Sequence, residues 1–533
     1  MKLSVVLPLA GLLPLFSLHA AQPELSSRSV TETLIETIPA ESIRPVGGFA
    51  YRGILRLDRP GDNSGTPSPC VLTEDGEPLG PAHASRESIE TQGAGRYLHW
   101  TDSGLFFSAS DNTDPRTNGR TYALVSDYQA TRHSANLVLR DGTTAYEVSA
   151  DDASLTNRRL VLRNLDEHAR VTVRMKTEGL PDFTSAQTMI ASILRPGMSD
   201  EEKAIAIWQF LVDWRYHHHP PEGSHENHDP ARFLGVYGYG YCDDAAHNFV
   251  SLCRVAGLQA RAWRLGGRHI VAEAYFKDRW HMFDADHEVY FRDDDGHIMS
   301  VDELAADPSV MLKTEKDPIG FPTKTLAEIY TQPDGNKLSH MIPPVASHEL
   351  APTLQPKDEV FFDFGLAVRT RRVMYRHMPP PPEAANGRLV RQVDVATADD
   401  ELLIPVEWPY VILGGELRLV LKTGKSPEVE LSVDGQTFHA LPVSQNGLSA
   451  TADLTSWISN YTGAAYTLTL RVRGPDATPV AELLQGARLN LDFQFGRRVA
   501  PQIQPGGSGF VLSVTSTSPE TFAGLQVAHD WDQ

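Results

Sequence analysis

Cysteine is scarce in this chain, whose 533 residues include only Cys70, Cys242 and Cys253. Three cysteines cannot staple a fold of this length, so a disulfide scaffold is excluded. Cys242 and Cys253 fall within one predicted helix and lie about 16 Å apart along its axis, which is too far for a disulfide. Any internal disulfide must therefore use Cys70.

Positive charge is also in short supply, because 48 Lys and Arg residues stand against 68 Asp and Glu residues, a net charge of −20. A surface with this excess of negative charge repels phosphate backbones, so we predict no nucleic-acid partner. The charge favours solubility but indicates no substrate.

Long apolar runs are absent beyond the N-terminus. The first 21 residues place Lys2 before an apolar run from Leu3 to Leu18 that is followed by small residues. This pattern is typical of a secretory signal peptide cleaved after Ala20 or Ala21, with a retained N-terminal anchor as the alternative. No later segment approaches the roughly 20 apolar residues that a bilayer span needs. We therefore predict a secreted or periplasmic protein without a membrane span after cleavage.

The residue pattern predicts an α+β fold of three regions after the signal peptide at 1–21. Residues 22–190 alternate short β-type runs with turn clusters, which predicts an N-terminal β-rich domain. Residues 191–345 predict helix, helix and strands, an α+β core. Residues 346–533 contain alternating runs such as ELRLVLKT and AYTLTLRVRG, which predict a C-terminal β-sandwich. The stretch PPPPEAANG at 379–387 is predicted to break regular structure as a linker or long loop.

Two helices and a hairpin are predicted in the middle region. Residues 199–214 combine an N-cap serine, first-turn acids and apolar residues at helical spacing. The segment CDDAAHNFVSLCRVAG predicts a second helix that begins at Cys242 and ends at Gly257. The runs at 269–276 and 280–284 predict two strands joined by a short turn.

A candidate nucleophile, Cys242, lies where a glycine-rich loop enters the second helix. Unpaired N–H groups at a helix start favour a thiolate and can bind an oxyanion. Gly238 and Gly240 would let the backbone pass close to a substrate carbonyl. Asp243 and Asp244 oppose the thiolate by adding negative charge beside the sulfur unless they turn outward.

A thiolate also needs an imidazole as its cationic partner and as the later proton donor. His269 opens the first strand of the hairpin and is the candidate. A carboxylate on the neighbouring strand would fix the tautomer of the ring, with Asp284 as first choice and Asp286 as second. The predicted catalytic residues are therefore Cys242, His269 and Asp284.

The order of these residues resembles the transglutaminase-like superfamily, a branch of the papain-like cysteine enzymes. The words that carry the resemblance are Gly240 with Cys242, Ala256-Gly257-Leu258-Gln259-Ala260-Arg261, His269 with Glu273, and Trp280 with Asp284. The resemblance covers residues from about 195 to 300 and does not place the flanking β domains. It implies a papain-like core with Cys242 as nucleophile, His269 as base and Asp284 as the orienting acid.

Together with the signal peptide, the resemblance implies an exported cysteine peptidase or amidase that works through an acyl-enzyme, and we predict no cofactor. Its substrate would be a peptide or protein, with a cell-wall or glycan-linked molecule among the candidates. One alternative is a protein cross-linking acyltransferase, in which an amine replaces water. The other is a non-catalytic surface or periplasmic protein whose core is a scaffold between glycan- or protein-binding β domains.

Three further features allow more than one interpretation. The loop at 217–229 contains five histidines, and we interpret it as a solvated loop beside the cleft, with a metal site or pH sensing as alternatives. The turn at 111–120 is predicted to be a hairpin loop, with a cation or sugar contact as the alternative. Four aromatic residues of the C-terminal region either pack in the core or stack on sugar rings: Trp408, Tyr410, Trp457 and Tyr461.

Other side chains of the core are given structural roles. Cys253 lies on the apolar face of its helix and is predicted to be buried. Glu273 is predicted to form an ion pair or to cap a helix. Trp280 is predicted to fill the core under the hairpin. Three tyrosines near Cys242 either line the active-site cleft or pack in the interior: Tyr216, Tyr239 and Tyr241.

Overall fold

The structure is a computed structural model of the chain. It describes residues 22–55, 61–62, 65, 67–100, 104–153, 155–221, 225–266, 269–332, 335–340, 346–365, 369–371, 381–396 and 400–533. The predicted signal peptide lies outside the described residues.

Strands are the main regular structure in the first third of the described chain. Its one α-helix among the described residues is α1 (Arg86–Gln92). Its strands are β1 (Glu24–Ile38), β2 (Arg44–Gly47), β3 (Ala50–Gly53), β4 (Val71–Glu74), β5 (Glu77–Pro78), β6 (Tyr97–Trp100), β7 (Gly104–Phe107), β8 (Tyr122–Leu139), β9 (Gly142–Val148), β10 (Thr156–Asn164) and β11 (Val171–Thr177).

The middle of the chain carries the long helices. In order, its elements are α2 (Ala186–Ile193), α3 (Asp200–Trp214), β12 (Tyr216–His217), β13 (Tyr239–Gly240), α4 (Cys242–Val255), β14 (Gln259–Arg264), β15 (Ile270–Phe276), β16 (Arg279–Phe283), α5 (Val301–Ala306), α6 (Thr323–Tyr330) and β17 (Lys337–Leu338). A π-helical turn (Arg232–Tyr237) precedes β13.

The remaining elements are again mostly strands. They are β18 (Thr353–Leu354), β19 (Glu359–Asp363), β20 (Ala384–Val393), β21 (Glu401–Glu407), β22 (Val411–Leu421), β23 (Glu428–Ser432), β24 (His439–Leu441), β25 (Val443–Asn446), β26 (Ser449–Asp453), α7 (Thr455–Ile458), β27 (Thr467–Arg473), α8 (Val480–Leu483), β28 (Leu484–Gly496), β29 (Ser508–Ser516) and β30 (Leu525–Asp532).

The helices of the middle region follow the predicted boundaries. Ser199 caps α3 and forms a reciprocal capping box with Glu202, so the sequence signal at this end was correct. α4 begins at Cys242, and Gly257 adopts a φ of +79° just after it ends. α4 packs on α3 and on the sheet of order β16-β15-β14-β17. The prediction of an α+β fold with β-rich flanks is confirmed.

One long sheet runs through both flanking regions. Its strand order is β25-β26-β22-β28-β20-β19-β10-β30-β8-β4-β5, and β1 pairs with β8. Two four-stranded sheets, of order β18-β11-β29-β9 and β21-β27-β23-β24, complete two sandwiches with it. The strand β8 is one continuous strand of 18 residues and not two short runs, because no residue along it breaks the extended backbone.

Strand pairing crosses the predicted domain boundaries at 190 and 346. β30 lies between β8 and β10, and β29 lies between β9 and β11. The last 26 residues of the chain therefore complete a sandwich begun near residue 122, counting from Ser508 to Gln533. The predicted boundaries separate stretches of sequence, not independent sheets, because pairing of distant strands leaves no local signal.

The linker predicted at 379–387 is wrong at its C-terminal end, because β20 begins at Ala384 and pairs with β19 and β28. Gly387, which suggested a break in regular structure, lies within β20 and packs against an aromatic ring. A Cβ at this position would approach Phe493 Cζ to 2.1 Å, so glycine is required for packing here and not for a turn.

A smaller lobe at the N-terminus has a core of its own. Its sheet has the order β2-β3-β7-β6, and α1 packs on it. Its buried side chains include Cys70, Tyr97 and Phe107. None of the helices in the described part of the chain is both long and apolar enough to span a bilayer.

The C-terminal strand is fixed by a buried carboxylate. Asp532 is buried and accepts hydrogen bonds from Arg132 on β8 and Arg158 on β10, at 2.8 Å and 2.6 Å. Tyr128 donates a third bond to the same carboxylate. Burial acts to raise the pKa of Asp532, but the two arginines outweigh it and hold the pKa below its ordinary value.

We predict that Asp532→Asn lowers the free energy of unfolding by about 3 kcal/mol, because it removes a buried charge shared by two guanidinium groups; Arg132 then keeps only its ion pair with Glu32. Asp363→Asn is the matched control, since Asp363 lies in the same sheet, is half-exposed and is 3.9 Å from Arg159. Its effect should stay below about 1 kcal/mol. Urea unfolding measures both; equal losses for the two variants would contradict the central role of Asp532.

Candidate active site

Cys242 is the first residue of α4 and is partly exposed. Cys70 and Cys253 are buried, and none of the three cysteines forms a disulfide. The prediction that Cys253 packs in the core is confirmed. Cys242 is therefore the one thiol that a reagent can reach in the folded chain.

The loop before Cys242 is held against the end of α3. β12 and β13 pair in parallel, with Tyr216 opposite Tyr239 and His217 opposite Gly240. Gly240 has no room for a side chain, because a Cβ there would lie 2.5 Å from Asp244 Oδ2. The sequence analysis expected this glycine to let a substrate approach the backbone. In the structure, it instead makes room for the Asp244 carboxyl group.

The two acids after Cys242 do not act as the sequence suggested. Asp244 turns inward, is 2% exposed and accepts hydrogen bonds from Tyr241 N–H and Asn227 Nδ2. Burial raises the pKa of Asp244 to about 8, so the group is uncharged at neutral pH. Burial and the neighbouring Asp244 also raise the pKa of Asp243. The negative charge beside the sulfur is thereby reduced.

His269 and Asp284 lie side by side, as the hairpin predicted. His269 Nε2 is 2.7 Å from Asp284 Oδ2, and both side chains are buried. The Cys242 thiol interacts with the same imidazole. Cys242 Sγ, a ring nitrogen of His269 and a carboxylate oxygen of Asp286 all lie within 4.8 Å of one another. The structure thus brings the three predicted residues together.

The charges of this cluster oppose the effect of burial. Burial acts to lower the pKa of His269, but the Asp284 carboxylate and the bond to it outweigh burial and raise the pKa well above its ordinary value. Burial acts to raise the pKa of Asp284, but His269 outweighs it and lowers the pKa. The pair is therefore an imidazolium and a carboxylate at neutral pH.

Backbone contacts position the Asp284 carboxylate. Its Oδ1 accepts the N–H groups of Asp286 and His287 at 2.9 Å and 3.0 Å, which leaves Oδ2 for His269. The His287 ring packs edge-on against the His269 ring at 4.8 Å. The indole of Trp208 donates to the carbonyl of Asp284 at 3.0 Å.

Asp286, the second choice for the orienting acid, has other partners. It pairs with Arg215 at 3.0 Å and with His217 at 2.8 Å. Burial acts to raise the pKa of Asp286, but the bond from His217 and the charge of Arg215 lower it to about 2. Asp286 thus stays ionised beside the sulfur and positions the loop that carries His217.

The sequence analysis missed Trp208, which lies on α3, and Arg215, which directly follows the helix. Arg215 is buried and donates to the carbonyls of Ala285 and Asp286. The two residues are seven positions apart, which places them on the same face of a helix two turns apart. The spacing indicated that the two side chains share a face. It did not indicate that this face contacts the end of a strand.

Glu273 has the structural role predicted for it. Its carboxylate accepts bonds from Arg261 and from the N–H of Val301 at the start of α5. Trp280 differs from the prediction, because it is only half-buried and is covered by the Arg261 guanidinium at 4.0 Å. The cation–π contact accounts for its place at the edge of the hairpin.

The aromatic residues divide into two groups. Trp408, Tyr410 and Tyr239 are buried and belong to the core, so they are not available to a ligand. Trp457 and Tyr461 are half-buried, with ring centroids 5.4 Å apart.

The turn at 111–120 keeps its predicted character, but the interpretation of 217–229 as a solvated loop holds only in part, because residues 227–229 are buried. In the turn at 111–120, Arg116 pairs with Asp114 and Arg120 pairs with Asp111, which accounts for its charges internally. Of the loop at 217–229, residues 222–224 lie outside the described residues. Its other residues include His217, exposed near Cys242, and His228, fully buried.

The comparisons identify one family and two distant structures. Residues 187–285 match the family model described as the transglutaminase-like superfamily. A candidate protease from Parabacteroides distasonis is 8% identical over 84% of this chain and 91% of its own, with a TM-score of 0.17. The VP2 subviral particle of infectious bursal disease virus is 9% identical over 76% and 80%, with a TM-score of 0.14. Both TM-scores are too low to support an inference about the fold or function of this chain. Comparison with curated proteins gives no match.

We predict that iodoacetamide labels Cys242 rapidly at pH 6 to 7 in the native protein, because a protonated His269 stabilises the thiolate. Asp284→Asn removes the charge that keeps the His269 pKa high and should slow labelling at pH 6.5 by at least about tenfold, one pKa unit. Asp278→Asn, in the exposed turn of the same hairpin, should leave the rate unchanged. Rapid labelling that persists in Cys242→Ala would contradict the assignment.

Proposed function

Because residues 187–285 form a transglutaminase-like core, we propose that this protein is a cysteine hydrolase that cleaves peptide or amide bonds through an acyl-enzyme. The observation that carries the proposal is the line of contacts from the partly exposed Cys242 through His269 to Asp284. An imidazole held between a carboxylate and an accessible thiol is the arrangement that a cysteine nucleophile requires.

The first half-reaction forms a thioester. The Cys242 thiolate attacks the carbonyl carbon, a C–S bond forms and the carbonyl electron pair moves to oxygen. N–H groups in the first turn of α4 have no partner within the helix and can stabilise this oxyanion. As the C–N bond breaks, His269 gives its proton to the leaving amine, and the acyl group remains on sulfur.

The second half-reaction releases a carboxylic acid. Water attacks the thioester carbon while the neutral His269 takes a proton from that water. The C–S bond then breaks and the thiolate is restored beside the imidazolium. Because Nε2 of His269 is bonded to Asp284, Nδ1 is the nitrogen that transfers the proton. Asp284 is thus an orienting residue that acts through His269.

The substrate side of the site is open at Cys242 and closed at the other two residues. His269 is 6% exposed and Asp284 is 1% exposed, so a substrate reaches the sulfur and the Cys242 end of the helix. A peptide or protein chain that presents its carbonyl to the exposed part of Cys242 fits this access. An amine acceptor would convert the same acyl-enzyme into a cross-linking reaction, so the product decides between hydrolysis and transfer.

We predict that the full chain hydrolyses members of a fluorogenic peptide library and that Cys242→Ala eliminates this activity. Asp284→Asn should lower kcat roughly a thousandfold, the order seen when an orienting acid is lost. Asp278→Asn is the matched control and should retain full activity. Turnover in ¹⁸O-labelled water with an added primary amine should give one ¹⁸O in the new carboxylate. Cleavage by Cys242→Ala would overturn the proposal, and amide products would establish the acyltransferase.

We also propose that the enzyme acts outside the cytoplasm, on the support of the apolar N-terminal pattern of residues 1–21. N-terminal sequencing of the protein from its own cells should give a chain that begins at Ala21 or Gln22. An uncleaved chain in the cytoplasmic fraction would contradict this.

A further inference from the structure

A group of possible metal ligands that does not include the catalytic imidazole lies at the start of α4. His225 and His228, from the loop at 217–229, come together with Asp243 in the first turn of α4. One ligand atom from each residue lies within 4.8 Å of the other two. The proposed hydrolysis uses none of these three side chains.

His228 is the least satisfied polar side chain of this group. It is 0% exposed, and neither ring nitrogen has a hydrogen-bond partner among the described residues. Its Nε2 lies 3.3 Å from Asp244 Oδ1, without hydrogen-bond geometry. A buried imidazole without partners calls for a bound group at its nitrogen.

The surroundings of His228 hold its ring in one orientation. The His247 ring stacks on it with centroids 4.4 Å apart, and His247 Nδ1 donates to the carbonyl of Asp243 at 2.7 Å. The side-chain oxygens of Asn227 and Asn248 are also buried without a hydrogen-bond partner among the described residues. Four orphaned polar atoms in one place indicate an ion or ordered water.

We propose that His225, His228 and Asp243 bind a divalent transition-metal ion, with Zn²⁺ as the best match. Two imidazoles and one carboxylate suit zinc, whereas calcium and magnesium prefer oxygen ligands alone. The ion links the histidine-rich loop to the turn of α4 that starts at Cys242. This site stands independently of the proposed hydrolysis, because it requires neither Cys242 nor His269.

Zinc titration of the full chain by calorimetry tests the site. The parent for this experiment is Cys242→Ala, because Cys242, His269 and Asp286 offer a second set of ligand atoms within 4.8 Å. We expect one Zn²⁺ per chain. His225→Gln changes an exposed side chain and should weaken binding at least tenfold. His297→Gln, in the exposed group with Asp293 and Asp295, is the matched control and should leave the affinity unchanged.

Cobalt substitution gives a second readout that needs no variant of the buried His228. The absorption spectrum of the Co²⁺ form of the Cys242→Ala parent should show nitrogen and oxygen ligands, with no thiolate-to-metal charge transfer. Undiminished zinc affinity in His225→Gln, or the absence of stoichiometric binding in the parent, would overturn the proposal and leave ordered water as the occupant.

Discussion

The hydrogen bond between Asp284 and His269 is the interaction on which the site depends. Both groups are buried, and burial alone would make each of them neutral. They stay charged because each is the counter-ion of the other across 2.7 Å. A thiol placed next to that imidazolium becomes a nucleophile without any other cation, so the chemistry rests on a charge pair kept away from water.

The rest of the fold holds this pair in place from two directions. Trp208 on α3 and Arg215 just after it fix the backbone that follows β16, while β12 fixes the loop that ends at Cys242. The C-terminal sandwich contributes Gln494, which donates to Tyr239 OH and to the carbonyl of Val236 in the same loop. Sequence segments far apart along the chain therefore converge on the start of α4, and the flanking sandwiches act as support for the site.

Patterns among neighbouring residues predicted much of this arrangement. They did not predict the pairing of strands that are distant in sequence. The caps of α3 and α4 and the alternation of the hairpin strands were readable because each depends on neighbours along the chain. The meeting of Cys242, His269 and Asp284 was predicted only through their order and the family resemblance. The placement of β29 and β30, the inward turn of Asp244 and the requirement for Gly387 depend on partners distant in sequence, so no local pattern reports them.

The protonation state of the His269 ring in the free protein is the most direct test of the central claim. Selective ¹⁵N labelling of histidine, with His269→Gln to assign the signal, follows the ring through a pH titration by NMR. The account predicts that His269 remains an imidazolium at pH 7.5, because its pKa lies well above the ordinary value of 6.5. A ring that is already neutral at pH 6 would contradict the charge pair and the proposed chemistry.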